Sequence, residues 1–233
     1  MARGGMLTAI IVAAGSSVRA GFDKTLAMLA GEPVLAHSVR AFQECDEIAQ
    51  IIIVARAERL TNVRSLAERS PDKITDVVAG GARRQDSVRA GLNRLTEGAK
   101  FVAVHDAARP LVTREMISQT YALARAHGAA VLASPVVDTL KRATPERFVS
   151  GSVDRANLYA MQTPQIFERT ALERAYAAAE SDAVEITDEV SALERAGGAV
   201  MLALNVDWNF KITFSADLAL AETVLQQRRA ASR

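Results

Sequence analysis

Three short stretches of this chain combine cations, an acid and small residues in patterns suited to phosphate chemistry. Gly15-Ser16-Ser17 is followed closely by Arg19 and Lys24. Small residues leave backbone N–H groups uncovered and the two cations add charge, which together make an anion site. The stretch lacks the Gly-Lys-Ser/Thr ending of a P-loop and the three spaced glycines of a dinucleotide fingerprint, and a plain strand-to-helix turn is the other reading of it. Gly80-Gly81 precedes Ala82-Arg83-Arg84-Gln85-Asp86-Ser87. Paired glycines permit close backbone approach to a flat or anionic ligand, while Asp86 or Ser87 also suits a helix cap. His105-Asp106-Ala107-Ala108-Arg109-Pro110 places a carboxylate where Mg²⁺ can bridge to substrate phosphates and a guanidinium that can grip phosphate on two nitrogens; an Asp106–Arg109 ion pair closing a loop is the alternative. Further along stand Thr163 before Pro164, the Thr187-Asp188-Glu189 helix start, and Lys211, with Asp207 nearby as a second acidic candidate or a solvated loop residue.

The elements that must position these residues alternate. Leu7–Ala14, Ile51–Ala55, Ile74–Ala79, Phe101–Val104 and Ala130–Ala133 are short apolar runs of the kind found in buried parallel strands. Between them, residues 33–42, 58–69, 86–95 and 114–127 repeat apolar side chains at helical spacing. This order predicts an α/β fold, a doubly wound and mostly parallel sheet. Ligands of such sheets bind beyond the carboxyl ends of the strands, and each chemical stretch follows a strand or lies in a loop. Residues 136–162 break the pattern with charge, Thr, Pro and Gly, and read as a functional or interacting arm. Helices are expected near 167–179, 188–195 and 215–228, with a strand at 200–204. One domain over 1–233 is expected.

The chain has 233 residues, 49% hydrophobic but only 5% aromatic, so Ala, Val, Leu and Ile must build the core. Its 28 Lys and Arg nearly balance 27 Asp and Glu, which argues against a nucleic-acid or membrane-surface binder. The single cysteine, Cys45, rules out a disulfide framework and a cysteine zinc site. No apolar run approaches the ~20 residues of a membrane span, and the first residues show no signal-peptide pattern; a cytoplasmic location is expected. His37, His105 and His127 read as structural.

Taken together and in order, these blocks resemble the 2-C-methyl-D-erythritol 4-phosphate cytidylyltransferases. The resemblance runs over nearly the whole chain. It rests on Ala13-Ala14-Gly15 with Arg19 and Lys24, on Gly80-Gly81 with Asp86-Ser87-Val88, and on the 105–110 block. It continues through Asp138-Thr139-Leu140-Lys141, Val153-Asp154-Arg155, Thr163-Pro164-Gln165, Thr187-Asp188-Glu189 and Asn209-Phe210-Lys211-Ile212-Thr213. It implies a Rossmann-like nucleotidyltransferase that joins CTP to the polyol phosphate and releases pyrophosphate. By the same resemblance Arg19, Lys24 and Lys211 are catalytic, and Ala13, Ala14, Gly15, Gly81, Ser87 and Asp106 bind CTP. Arg109, Thr139, Arg155, Thr163, Thr187 and Lys211 contact the second substrate. Asp106 holds Mg²⁺ or another divalent cation. The arm at 136–162 makes a homodimer in which Arg155 reaches the partner's site.

Four departures from the family pattern stand out: Ser17 for a glycine, Asp23-Lys24-Thr25 for Pro-Lys-Gln, a shorter span from Arg19 to Lys24, and Ala82 where an acid is frequent. Asp23 puts a negative charge beside Lys24, which would weaken nucleotide binding. A cyclodiphosphate synthase follows the domain in some family members; here the chain ends at its expected closing helix, which implies a single activity. Two other readings remain: a cytidylyltransferase for another polyol phosphate such as ribitol 5-phosphate, and a CTP-binding module without catalysis.

Overall fold

The protein is described by a computed structural model over residues 7–15 and 21–231. The expectations for Ser17 and Arg19 lie outside the described residues. Strand β1 spans Leu7–Ala13 and is buried along its whole length. A small hairpin, β2 (Met28–Leu29) and β3 (Glu32–Pro33), leads into α1 (Val34–Gln43). Then β4 (Ile48–Ala55), α2 (Leu60–Glu68), β5 (Ile74–Ala79), α3 (Arg84–Leu92), β6 (Phe101–Asp106), α4 (Arg114–His127) and β7 (Ala129–Pro135) alternate as the apolar runs predict. Helix α4 starts at a Thr113 side chain that accepts from Met116 N and ends at Gly128 with φ 85°, a left-handed stop that glycine adopts without strain.

Within the 136–162 segment, β8 (Lys141–Ala143) and β9 (Val149–Ser152) form a separate two-stranded hairpin. The segment's last residues belong elsewhere. Strand β10 runs from Tyr159 to Glu168 and enters the main sheet, so the irregular arm ends before Tyr159. The helix expected from Phe167 begins instead as α5 at Arg169 and runs to Ser181; Phe167 is a fully buried strand residue. Helix α6 (Glu189–Arg195), β11 (Met201–Leu204) and α7 (Ser215–Ala231) complete the chain.

The seven strands of the main sheet lie in the order β11-β7-β10-β6-β1-β4-β5. Pairings β1–β4, β1–β6, β4–β5 and β7–β11 are parallel, whereas β10 is antiparallel to both β6 and β7. Alternate β1 residues face opposite layers, as the two-residue period of a strand requires. Ala9 and Ile11 pack with α1 and α4, whereas Ile10 and Val12 pack with α3, α5 and α6. The chain winds outward from β1 to β4 and β5, then returns to β6 on the other side of β1. The crevice between β1 and β6 is therefore the topological switch point, where open sheets of this kind bind ligands.

Gly91 of α3 is where that helix meets the sheet. A Cβ there would lie 2.6 Å from Ile10 Cγ2, in the buried layer. Gly91→Ala is expected to cost about 1–3 kcal/mol by overpacking, outweighing the ~1 kcal/mol gained from helix propensity. Urea unfolding checks this: the midpoint should fall with an unchanged slope. Among the described residues, no helix is long and apolar enough to cross a membrane.

Candidate active site

A cavity of about 600 Å³ opens at the carboxyl ends of four parallel strands. Ala14 and Gly15 follow β1, Arg56 follows β4, Gly80 to Arg84 follow β5, and Asp106 ends β6; Lys24 and Lys211 complete the wall. Sheet topology has thus brought together candidates separated by almost the length of the chain.

The glycine pair is required by the protein's own packing. A Cβ on Gly80 would lie 2.5 Å from Ser87 Oγ and 2.6 Å from the Ala14 side chain; one on Gly81 would lie 2.3 Å from Asp86 Cβ. Ser87 is buried, accepts from Gly81 N at 3.2 Å and donates to Arg83 O. It is a brace for the loop and a lining residue of the cavity. Asp86 accepts from the Arg83 N–H at 3.1 Å, so the acid in the first turn satisfies a free donor. Ala13 is buried at the end of β1, one residue beneath the cavity wall.

Asp106 lies at the centre. Its Oδ1 accepts from Arg84 Nε at 3.2 Å and its Oδ2 from Lys211 Nζ at 2.6 Å. Burial alone would raise its pKa, but Arg84, Lys211 and Arg109 hold the carboxyl well below the usual carboxylate range. It is therefore an anion at any working pH. The backbone N–H of Asp106 donates to Thr163 Oγ1 at 3.1 Å, and that hydroxyl also bonds His105 Nδ1 at 2.9 Å. Thr163, expected to contact substrate, is buried and spends its hydroxyl on the end of β6. His105 is fully buried, and burial pushes its pKa down to about 3, which fits the structural reading.

Lys211 is held by its neighbours. Ile212 N donates to Ala108 O at 2.8 Å, and Asn209 Nδ2 donates to Thr163 O and Gln162 Oε1. Arg109 donates from Nη1 to Asn209 O at 2.8 Å and from Nη2 to Met161 O at 3.4 Å. It is joined to backbone carbonyls rather than to Asp106, and it clamps the Lys211 loop to β10. Asp207 pairs with Arg228 at 2.9 Å and does not line the cavity, so it is not placed as a second metal ligand.

Asp23 is likewise turned to other work. Its Oδ1 accepts from Thr25 N and Thr25 Oγ1, and its Oδ2 pairs with Arg59 at 3.0 Å. The departure beside Lys24 is thus a turn-forming carboxylate with its own cation, and Asp23 is absent from the cavity lining. Its charge has less reach toward nucleotide than the sequence alone suggests.

Thr187 is exposed just before α6, whose cap is Asp188, accepting from Ser191 N at 2.9 Å. Thr139 and Arg155 are exposed on the arm and do not line the cavity; Arg155 donates to Val137 O. Sequence reasoning missed Arg56, which donates to Gly15 O at 3.0 Å, and it missed Arg84 and Glu189. The fully buried Glu189 accepts from Arg84 Nη1 at 2.8 and 2.9 Å. The signal in the sequence was an acid following an already sufficient cap, which spacing cannot distinguish from a solvated first-turn residue.

Comparison with known proteins agrees with this geometry. Residues 7–227 match the family model described as "IspD: 2-C-methyl-D-erythritol 4-phosphate cytidylyltransferase". A protein of that name from Alkaliphilus metalliredigens is 37% identical over 233 residues, covering 98% of this chain and 97% of the relative. The "Bifunctional enzyme IspD/IspF" of Desulfotalea psychrophila is 41% identical over 94% of this chain, which spans 57% of that longer protein. The crystal structure of 4-diphosphocytidyl-2C-methyl-D-erythritol synthase from Anaerococcus prevotii superposes with a TM-score of 0.84 at 27% identity, covering 96% of this chain and 97% of that one. A nearly full-length match, a shared mostly parallel sheet and a cation-lined cavity at its switch point lead to one assignment: the chain belongs to the 2-C-methyl-D-erythritol 4-phosphate cytidylyltransferase family.

Proposed function

We propose that the protein transfers the cytidylyl group of CTP to 2-C-methyl-D-erythritol 4-phosphate, giving 4-diphosphocytidyl-2-C-methyl-D-erythritol and pyrophosphate. The observation that carries this reading is the cavity in which Lys24, Lys211 and Asp106 face the glycine loops after β1 and β5. A phosphate oxygen of the polyol attacks the α-phosphorus of CTP; the new P–O bond forms as the bond to the β-phosphate oxygen breaks, and pyrophosphate leaves. The protein's task is to hold two anions together and to stabilise charge as the transition state forms.

Lys24 and Lys211, with Arg19, are assigned to neutralising the phosphates. Ala13, Ala14, Gly15, Gly81 and Ser87 are assigned to the cytidine, whose base edge can reach the backbone groups that such small side chains leave open. The divalent ion is assigned to Asp106. Among the described residues no cluster of three or more acidic, His or Cys side chains forms a metal site. A single ionised carboxylate suits Mg²⁺, which completes its shell with phosphate oxygens and water. When bound it would supply charge neutralisation at the phosphates. Product formation from CTP, compared with ATP, GTP and UTP at equal concentration, tests the base assignment; equal rates with a purine nucleotide would overturn it.

The polyol phosphate is assigned to Arg109, Thr139, Arg155, Thr163, Thr187 and Lys211, with Thr163 and Arg109 acting through the backbone they hold. Thr139 and Arg155 lie outside the cavity of their own chain, and Val137, Phe148 and Val149 expose apolar surface on the same arm. Such surface marks an interaction site, which supports a homodimer whose arms deliver Arg155 to the opposite cavity. Arg155→Ala is expected to raise the KM for the polyol phosphate about tenfold, as loss of one charged phosphate contact would, and the KM for CTP less than twofold. Steady-state kinetics with each substrate varied in turn checks it.

A further inference from the structure

One hydrogen-bonded chain of side chains runs from the interior of the helical layer to the cavity. Tyr176 of α5 donates its hydroxyl to Glu189 Oε1 at 2.8 Å. Arg84 Nη1 donates to both oxygens of Glu189, and Arg84 Nε donates to Asp106 Oδ1. Lys211 then takes the other oxygen of Asp106. The links belong to α5, α6, α3, β6 and the loop before α7. The inner end of the path is closed to solvent, with the Glu189 side chain at 0% exposure, and its outer end is open, with Lys211 at 36%.

Glu189 has no capping duty, because Asp188 caps α6. A buried carboxylate is costly unless it is paired and fully hydrogen-bonded, and here both oxygens are used on Arg84 and Tyr176. What this achieves is a fixed and neutralised guanidinium. With Nη1 committed to Glu189, Arg84 presents Nε to one edge of Asp106 and leaves the other edge to Lys211.

We propose that Glu189, supported by Tyr176, is a positioning residue for cytidylyl transfer: acting through Arg84, it fixes the orientation of Asp106 and keeps the Arg84 charge from competing for that carboxylate. This inference rests on the role given to Asp106 above. Without the Glu189 charge, Arg84 keeps Asp106 as its remaining carboxylate partner beside the cavity. Its pull on Asp106 strengthens, and the field on a bound anion grows more positive. Two effects of opposite sign follow. Turnover falls, because Asp106 is drawn away from its task. Affinity for metal-free CTP, a polyanion, rises.

The test measures kcat with Mg²⁺ and, by calorimetry in EDTA, the Kd for CTP, in Glu189→Gln, Tyr176→Phe and Asp106→Asn, each confirmed folded by thermal unfolding. Glu189→Gln is expected to lower kcat at least tenfold while tightening metal-free CTP binding about threefold. Tyr176→Phe, which changes no charge and is the milder variant should Glu189→Gln not fold, is expected to lower kcat two- to fivefold with unchanged CTP affinity. A folded Glu189→Gln with wild-type kcat, or one in which kcat and CTP affinity fall together as in general loosening, overturns the proposal. So does wild-type kcat in Tyr176→Phe if that is the variant that folds. Wild-type kcat in Asp106→Asn defeats the role of Asp106 itself. Loss there with no change in the other two defeats the relay alone.

Discussion

Asp106→Asn is expected to lower kcat by about 10³, roughly 4 kcal/mol of transition-state stabilisation, while leaving the KM for CTP unchanged or lower. The substitution keeps the side-chain shape but removes the charge that Arg84 and Lys211 share at 3.2 and 2.6 Å. It also removes the hard oxygen ligand assigned to the divalent ion. Ground-state binding of an anionic nucleotide does not suffer, because the variant cavity is one charge more positive. An effect confined to kcat is the signature of an interaction made in the transition state. Wild-type turnover at saturating Mg²⁺ would show that Asp106 only closes an ion pair.

Lys211→Met is expected to cost about 10²–10³ in kcat, the range seen when one preorganised donor to a developing anion is lost, and to raise the KM for both substrates. Methionine preserves much of the stem but leaves two phosphates facing each other with one cation fewer. The loop itself should stay in place, since Ile212 is fully buried and bonded to Ala108 O, and Asn209 is anchored to Gln162 and Thr163. A CTP affinity that weakens in Lys211→Met but not in Asp106→Asn separates electrostatics from damage to the fold. Parallel titrations of the two proteins, alongside their melting temperatures, make the comparison.

The central strands were legible because parallel strands buried on both faces are continuous apolar runs, as in Leu7–Ala13 and Ile51–Ala55. Strand β10 was not, because Gln162, Thr163 and Gln165 interrupt it with polar side chains. Their partners are distant in sequence: Asn205 and Asn209 for Gln162, Asp106 and His105 for Thr163, Asp188 for Gln165. A polar residue that is satisfied inside the fold looks, in sequence, like one that faces solvent or substrate. The same ambiguity explains Arg84 and Glu189. They are 105 residues apart and meet only because α3 and α6 start on the same side of the sheet. The outline of the site was readable from its glycines and charges, whereas the wiring among those charges needed the tertiary structure.

The most direct measurement of the whole account is pyrophosphate release from CTP with Mg²⁺ and, in turn, 2-C-methyl-D-erythritol 4-phosphate and ribitol 5-phosphate. Release that requires both CTP and the methylerythritol phosphate, with little or none from ribitol 5-phosphate, is the predicted result. Release with ribitol 5-phosphate alone, or CTP binding with no release from either acceptor, would contradict it.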